Sequence, residues 1–260
     1  MKIPPMFDLA GRTAIVTGSS RGIGRAIATA FADHGAKVII SSRKQEACDE
    51  VADEINAVHA DAAMAVAANI SSRDDLEALV ARTQSAHGKI DILVCNAATN
   101  PFYGPMSEIP DVQFRKVLEN NILSTHWLCQ MVAPGMVSRR EGAIIIVSSI
   151  GGMSATTKAG AYNVSKAADI QLARNLSAEL GPSGVTANCI APGLVRTDFA
   201  RALWENPATL ARLEQAATLR RIAEPEEIAG AAVFLAARAG RFVTGQTIVV
   251  DGGATIAGFD

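Results

Sequence analysis

The sequence predicts a single α/β domain: a doubly wound, parallel, seven-stranded sheet with helices on both faces. Three observations carry this expectation. Short apolar runs alternate with longer amphipathic segments seven times along the 260 residues, the pattern of repeated strand–helix–strand units. The runs are apolar throughout, as strands covered on both faces are. A glycine-rich turn follows the first run and opens a helix, the junction at which such folds take up anions. One α/β domain of about 250 residues is common, so the whole span 1–260 is read as one domain.

The expected strands are Thr13–Thr17, Lys37–Ile40, Ala63–Ala67, Ile92–Cys95, Ala143–Val147, Thr186–Ile190 and Thr247–Val250. After the first strand, Ile23, Ala26, Ile27, Ala30 and Phe31 recur at helical spacing, and Gly35 stops that helix. Ser72 caps a later helix. Asp74 and Asp75 sit in its first turn, Leu76, Leu79 and Val80 line one face, and Gly88 ends it. Two Ala-rich, weakly charged helices are expected at Phe114–Val132 and Ala161–Leu180.

Composition excludes several classes. Hydrophobic residues make up 49% and charged residues 19%, so the chain is not a disordered polymer. No apolar run is long enough for a transmembrane helix, so no membrane partner is expected. The start, Met1 to Asp8, has two prolines and no apolar core, so no secretory signal is expected there. A net charge of −2 argues against a nucleic-acid surface. Cys48, Cys95, Cys129 and Cys189 lack any CxxC spacing and read as reduced core residues of a cytoplasmic protein. His34, His59, His87 and His126 show no metal-ligand spacing, so no metal site is expected.

Two motifs carry chemistry. The first is Thr17-Gly18-Ser19-Ser20-Arg21-Gly22-Ile23-Gly24. Gly18 permits a tight turn, Gly22 lets a pyrophosphate approach the backbone, and Gly24 lets helix and strand pack closely. The second is Tyr162-Asn163-Val164-Ser165-Lys166, opening an Ala-rich helix. Residues four apart share a helix face, so the phenol and the ammonium lie side by side. A phenol ordinarily titrates near about 10, and a neighbouring cation is expected to move Tyr162 toward neutrality. Ser148-Ser149 ends an apolar strand, at the sheet edge where this fold places ligands.

Together the two motifs resemble the short-chain dehydrogenase/reductase family in its classical, Rossmann-type form. The resemblance runs from about Phe7 to Gly253. Its further marks are Asn96-Ala97-Ala98 after the fourth strand, Asn121 in Glu119-Asn120-Asn121-Ile122, Ala191-Pro192-Gly193 with Thr197 beyond, and Asp251-Gly252-Gly253. Where the family often has Asn-Asn-Ala-Gly, this chain has Cys95-Asn96-Ala97-Ala98, and Ala98 adds a methyl near the nicotinamide ribose.

The resemblance implies a catalytic tetrad. Tyr162 would give a proton to a carbonyl oxygen in reduction and take one from an alcohol in oxidation. Lys166 would hold the ribose hydroxyls and lower the Tyr162 pKa. Ser149 would hydrogen-bond the substrate oxygen, with Ser148 pointing away. Asn121 would fix a bend in its helix and hold a water that links Lys166 to solvent. This division matches general acid–base catalysis with a polar clamp on the developing alkoxide.

The resemblance also implies cofactor contacts. In the first turn these are Gly18, Ser20, Arg21, Gly22, Ile23 and Gly24. Ser42 and Arg43 follow the second strand, and Asn69 and Ile70, at the end of the third, would flank the adenine. Asn96 and Ala97 would meet the ribose side, alongside Tyr162 and Lys166. Pro192, Gly193, Val195 and Thr197 would lie at the carboxamide side. Asp91 would support the adenine-side backbone.

An acid at the end of the second strand selects NAD in this fold, but Ser42 stands there, eighteen residues after Gly24. Arg43 follows and Arg21 precedes Gly22, a set suited to a 2′-phosphate. NADP(H) is therefore the expected cofactor, with NAD(H) as the alternative. The family resemblance implies a lid at about 194–219 and a homotetramer built through long helices. Phe199, Leu203, Trp204 and Leu210 in the lid, with Phe102, Tyr103 and Met106 in the loop 99–110, suggest a carbonyl or secondary alcohol substrate with an apolar body. Alternatives are a 3-oxoacyl-[acyl-carrier-protein] reductase, with Arg139 and Arg140 as a basic entrance, and an NAD(H)-dependent alcohol or polyol dehydrogenase. A lyase or epimerase on the same fold and a non-catalytic dinucleotide-binding scaffold stand further off.

Overall fold

Strand residues of this chain are apolar on both sides, and the computed structural model shows why. It describes residues 3–257; Met1, Lys2 and residues 258–260, the outer ends of the expected domain, lie outside the described residues. Seven strands, β1 (Thr13–Thr17), β2 (Lys37–Ser41), β3 (Ala63–Ala65), β4 (Ile92–Cys95), β5 (Gly142–Val147), β6 (Val185–Pro192) and β7 (Thr247–Val250), form one sheet. Every pairing is parallel and the order is β3-β2-β1-β4-β5-β6-β7.

Successive side chains on a strand point to opposite faces, so one sheet feeds two cores. Val16, Val38, Ile40, Val94 and Val147 enter the first core. It is covered by α1 (Gly22–Asp33), α2 (Gln45–Val58) and α9 (Pro225–Ala236). Ile15, Ile39, Leu93, Ile144 and Ile146 enter the second. That side is covered by α3 (Arg73–His87), α5 (Ser124–Arg139) and α6 (Gly160–Leu180). The remaining helices are α4 (Asp111–Leu118), α7 (Arg201–Trp204) and α8 (Pro207–Ala216).

Strand order reverses between β1 and β4, so a crevice opens beyond the carboxyl ends of those strands. Three expected elements differ from the structure by two residues or more. The third strand stops at Ala65, although the Val66 and Ala68 amides still donate to the Ile40 and Ser42 carbonyls, at 3.0 and 2.9 Å, and the Ala67 amide on the outer side donates to the Gln45 side chain. The sixth strand runs on to Pro192, where Pro192 still pairs with Val250. The helix expected over Phe114–Val132 starts at Asp111 and ends at Arg139, interrupted by a π turn, Glu119–Leu123.

Candidate active site

The glycine turn is built by backbone rather than by side chains. Gly18 (φ +67°) and Gly22 (φ +56°) occupy the left-handed region. A Cβ on Gly24 would lie 2.3 Å from the Gly18 carbonyl oxygen, so nothing larger than glycine fits where α1 meets the strand. Arg21 sits at the N-cap of α1 without a side-chain cap, which leaves the first-turn amides for a ligand. Ser20 and Ile23 are half-buried beside them. The buried Ser19 hydroxyl donates to the Val16 carbonyl at 2.7 Å and accepts from the Ser41 amide at 2.8 Å, tying the turn to β2.

Asn96 and Ala97 are knitted into the same turn. The Asn96 side chain donates to the carbonyls of Thr17 (2.9 Å) and Gly18 (3.2 Å). The amides of Asn96 and Ala97 both reach the Thr17 hydroxyl, at 3.0 and 3.2 Å. This glycine cradle at a free helix N-terminus fits the pyrophosphate of a dinucleotide.

On the adenine side the residues separate. The Ser42 hydroxyl lies 3.2 Å from Cys48 Sγ, and Arg43 is exposed with no ion-pair partner among the described residues. Arg21 is exposed and reaches Asp198, 3.4 Å away in the expected lid. Asn69 lies beyond β3, not at its end; its side chain accepts from the Ser71 amide and its own amide donates to Asp75. Ile70 beside it is buried. Asp91 departs from its expected place. It accepts from the Thr13 amide (2.9 Å) and faces Lys89 (3.1 Å), at the amino ends of β1 and β4, the sheet edge opposite the crevice. Arg139 and Arg140 lie at that same edge. Arg139 donates to the Ile90 carbonyl and Arg140 to the Pro182 carbonyl, so they form no entrance to the crevice.

Beyond β5 the sheet delivers Ser148 and Ser149. Ser148 Oγ donates to the Lys166 carbonyl at 2.7 Å, facing away from the cleft. Ser149 Oγ accepts from the Gly151 amide at 3.0 Å and stands beside the Tyr162 phenol. Gly160 starts α6 under Met106, whose side chain fills the space a Cβ would need. One turn further, the Lys166 ammonium lies 5.7 Å from the Tyr162 ring centre. Its Nζ donates to the Val147 carbonyl (2.9 Å) and to Asp169 Oδ2 (2.8 Å).

The Tyr162 phenol is pushed above its ordinary value. Enclosure by protein on most sides is the largest cause; Lys166 and Ser149 pull the other way, and Asp169 adds to the rise. The shift toward neutrality expected from Lys166 is therefore outweighed by burial. Burial would also push the Lys166 ammonium down, but Asp169 opposes it and leaves it raised. Asp169 is the site residue that sequence reasoning missed. Its one signal was the i, i+3 spacing from Lys166, on the face that also carries the buried Ile170.

Asn121 sits at the π turn. Its side-chain oxygen accepts from the Thr99 amide (2.8 Å), while its nitrogen donates to the Thr99 carbonyl and to Ser165 Oγ, both at 3.0 Å. The loop after β4 is thus stapled to α6. The amide has its nitrogen's two donors spent on these partners, which bears on the water-holding part of its expected role.

The far wall comes from β6 and the segment after it. Gly193 donates to the Val250 carbonyl at 2.9 Å, which seats Pro192 and Gly193 against β7. Val195 is buried and bridges to Ala223, anchoring the base of the 194–219 segment. Thr197 caps the next turn and its methyl faces Gly22. Phe199 then lays its ring 5.8 Å from that of Tyr162. Opposite, Gly104 bridges to Ala159, and Lys158 stands 5.9 Å from the Tyr103 ring.

The chain is similar to known proteins in sequence and in fold. A family model described as enoyl-(acyl carrier protein) reductase matches residues 18–255. The chain is 41% identical to "Dehydrogenase/reductase SDR family member 4" of Bos taurus over 94% of this chain and 88% of that protein. It superposes on a gluconate 5-dehydrogenase from Burkholderia cenocepacia, solved with NADP and tartrate, at a TM-score of 0.93 and 31% identity, covering 98% and 99% of the two chains. A 7α-hydroxysteroid dehydrogenase, solved with NADH and 7-oxo glycochenodeoxycholic acid, gives 0.92 and 36%, covering 97% and 98%. From its fold, its motifs and these likenesses, the chain belongs to the short-chain dehydrogenase/reductase family, NAD(P)-dependent oxidoreductases acting on CH–OH and C=O groups.

Proposed function

We propose that this chain is an NADP(H)-dependent oxidoreductase that interconverts a carbonyl and a secondary alcohol, with Tyr162 as its general acid–base. The observation that carries the reading is the gathering of Ser149, Tyr162 and Lys166 beyond the carboxyl end of β5, beside the crevice between β1 and β4. The nicotinamide, when bound, supplies the hydride chemistry. Tyr162 hands its phenol proton to the carbonyl oxygen in reduction and recovers one from the alcohol in oxidation. Ser149 Oγ donates to the same oxygen and stabilises the charge that develops there. Lys166 favours the phenolate and holds the ribose. Asn121 fixes the bend in its helix and clamps the loop after β4.

Gly18, Gly22 and Gly24 take the pyrophosphate, and Arg43 the 2′-phosphate. The segment 194–219 closes over the substrate, with Phe199 against its apolar body. An apolar hollow of about 400 Å³ on the outer face of the 111–139 and 160–180 helices, lined by Leu118, Ile122, Leu123 and Leu172, supports a homotetramer. Four buried free thiols support a reducing compartment and a cytoplasmic enzyme.

Tyr162→Phe tests the reading. It removes the proton donor and keeps the ring. General acid–base catalysis contributes about 10²–10⁴-fold, so kcat should fall by that much while nucleotide binding stays the same. Retention of more than a tenth of kcat would overturn the role of Tyr162.

A further inference from the structure

Lys166 is not free to act on Tyr162 alone. Three residues along α6, Asp169 is fully enclosed, and its Oδ2 lies 2.8 Å from Lys166 Nζ. Its other oxygen, Oδ1, has no hydrogen-bond partner among the described residues. A carboxylate so far from water is retained only against a compensating charge. The groups that face it are few. Cys189 on β6 donates its thiol to the Asp169 carbonyl at 3.3 Å. Cys95 on β4, with Cys129 of α5 beside it, and Tyr162 on α6 itself both feel its field. Burial pushes the Cys189 thiol and the Tyr162 phenol up, and the Cys129 contact together with burial does the same to Cys95, so these stay uncharged at pH 7, which leaves Lys166 as the cation that answers Asp169.

Two consequences follow from elementary chemistry. An ammonium has three donors. Two are spent inside the protein, on Val147 and Asp169, so one remains for the cofactor ribose. And a cation held against an anion acts on a third group as a dipole, more weakly than a bare charge would.

We propose that Asp169 is a positioning residue: it holds the Lys166 ammonium against the end of β5 and balances its charge, so that the site favours the protonated phenol and is set for carbonyl reduction. This rests on Tyr162 being the general acid–base. Enclosure already pushes the phenol up, and Asp169 pushes the same way. Asp169 thus offsets part of the pull that Lys166 alone would exert.

The chain has two tyrosines, Tyr103 and Tyr162. In a Tyr103→Phe background the near-ultraviolet phenolate absorbance reads Tyr162 alone, without substrate or cofactor. With Asp169 intact, the midpoint should lie above the ordinary phenol value of about 10. Asp169→Asn, similar in size, removes the anion and should lower that midpoint by about one unit, roughly tenfold more phenolate at a given pH below it. Asp169→Glu should return it toward the parent value. A midpoint that stays or rises on Asp169→Asn overturns the proposal. If Asp169→Asn does not fold, both charges are removed together: Lys166→Met with Asp169→Asn should titrate Tyr162 below Lys166→Met alone, and equal midpoints overturn the proposal. The titration needs no turnover, so its failure is distinct from a failure of the Tyr162 assignment, which the Tyr162→Phe rate reports.

Discussion

The glycine turn at 18–24 and the segment at 194–219 face each other across the crevice and are built in opposite ways. In the turn, backbone sets the shape. Gly18 and Gly22 hold left-handed φ, the space at Gly24 is filled by a carbonyl, and Ser19 is fully buried. In the 194–219 segment, proposed as a lid, large apolar side chains are exposed, Phe199 by 54% and Leu219 by 62%. Local devices hold it together: Asn206 caps α8, and Trp204 Nε1 donates to the Thr197 carbonyl at 2.8 Å. The two regions meet at Thr197 against Gly22 and at the Arg21–Asp198 pair. A backbone cradle tolerates few changes and suits one cofactor class. An exposed, locally capped lid can change its side chains with little cost to the fold. Solved proteins that superpose at TM-scores of 0.93 and 0.92 carry names as different as gluconate and hydroxysteroid dehydrogenase.

The sharpest way to break this contrast is Gly24→Ala. Its methyl would meet the Gly18 carbonyl at 2.3 Å and Asn96 Nδ2 at 2.5 Å. Backbone cannot move aside as a side-chain tip can, so the turn must open. Overpacking of this kind costs about 1–3 kcal/mol, and nucleotide affinity should collapse with the cradle. Gly181→Ala is the control, because Gly181 has φ −54° and open space around its Cα. That change should be neutral or stabilising by up to about 1 kcal/mol. Thermal unfolding with and without nucleotide reads both. Equal behaviour of the two variants would mean that the glycine at 24 is incidental.

The same contrast decides how much was legible. Strands announce themselves by apolar runs, and glycines at fixed spacing announce a backbone site. Tyr162 and Lys166 were legible because helical geometry brings residues four apart together. Asp169 was not. An Asp on an Ala-rich helix reads as a solvated charge until the neighbouring elements bury it, and that burial comes from β4, α5 and β6, far away in sequence. Asp91 was misplaced although its position was legible: it stands immediately before β4, and in a parallel sheet that puts it at the amino edge, opposite the crevice. The pairing of Arg21 with Asp198 was not legible either, because it depends on how the 194–219 segment folds back, which local pattern does not encode.

A smaller effect is expected at the adenine end, where the cradle hands over to side chains. Arg43→Leu should weaken NADP(H) and leave NAD(H) nearly untouched. A hydrogen bond to a charged group contributes about 1.5–3 kcal/mol, roughly 10- to 100-fold in affinity. With Arg21 engaged by Asp198, Arg43 should carry most of this alone. Ser42→Asp combined with Arg43→Leu should reverse the preference, because a carboxylate accepts from the ribose 2′-hydroxyl and repels a phosphate. KM and kcat for both cofactors on one substrate measure it. An unaltered enzyme that already prefers NAD(H) would defeat the charge argument.

The smallest effect on the fold, and the one that most sharpens the comparison, is expected from Phe199→Ala. The ring is more than half exposed, so its loss should change stability by no more than about 0.5 kcal/mol. What it does touch is Tyr162, with the rings 5.8 Å apart and tilted by 43°. A contact as exposed as this one sits at the low end for an aromatic pair, about 0.5 kcal/mol. If the ring instead covers the substrate's apolar body, its removal should raise KM by roughly two- to tenfold, with a far smaller change in kcat. Nucleotide affinity should stay where it was, since the cradle is backbone and lies on the other side of Thr197. A melting temperature that falls as far as that of Gly24→Ala would make the lid part of the core, and the division between a fixed cofactor half and a changeable substrate half would then be lost.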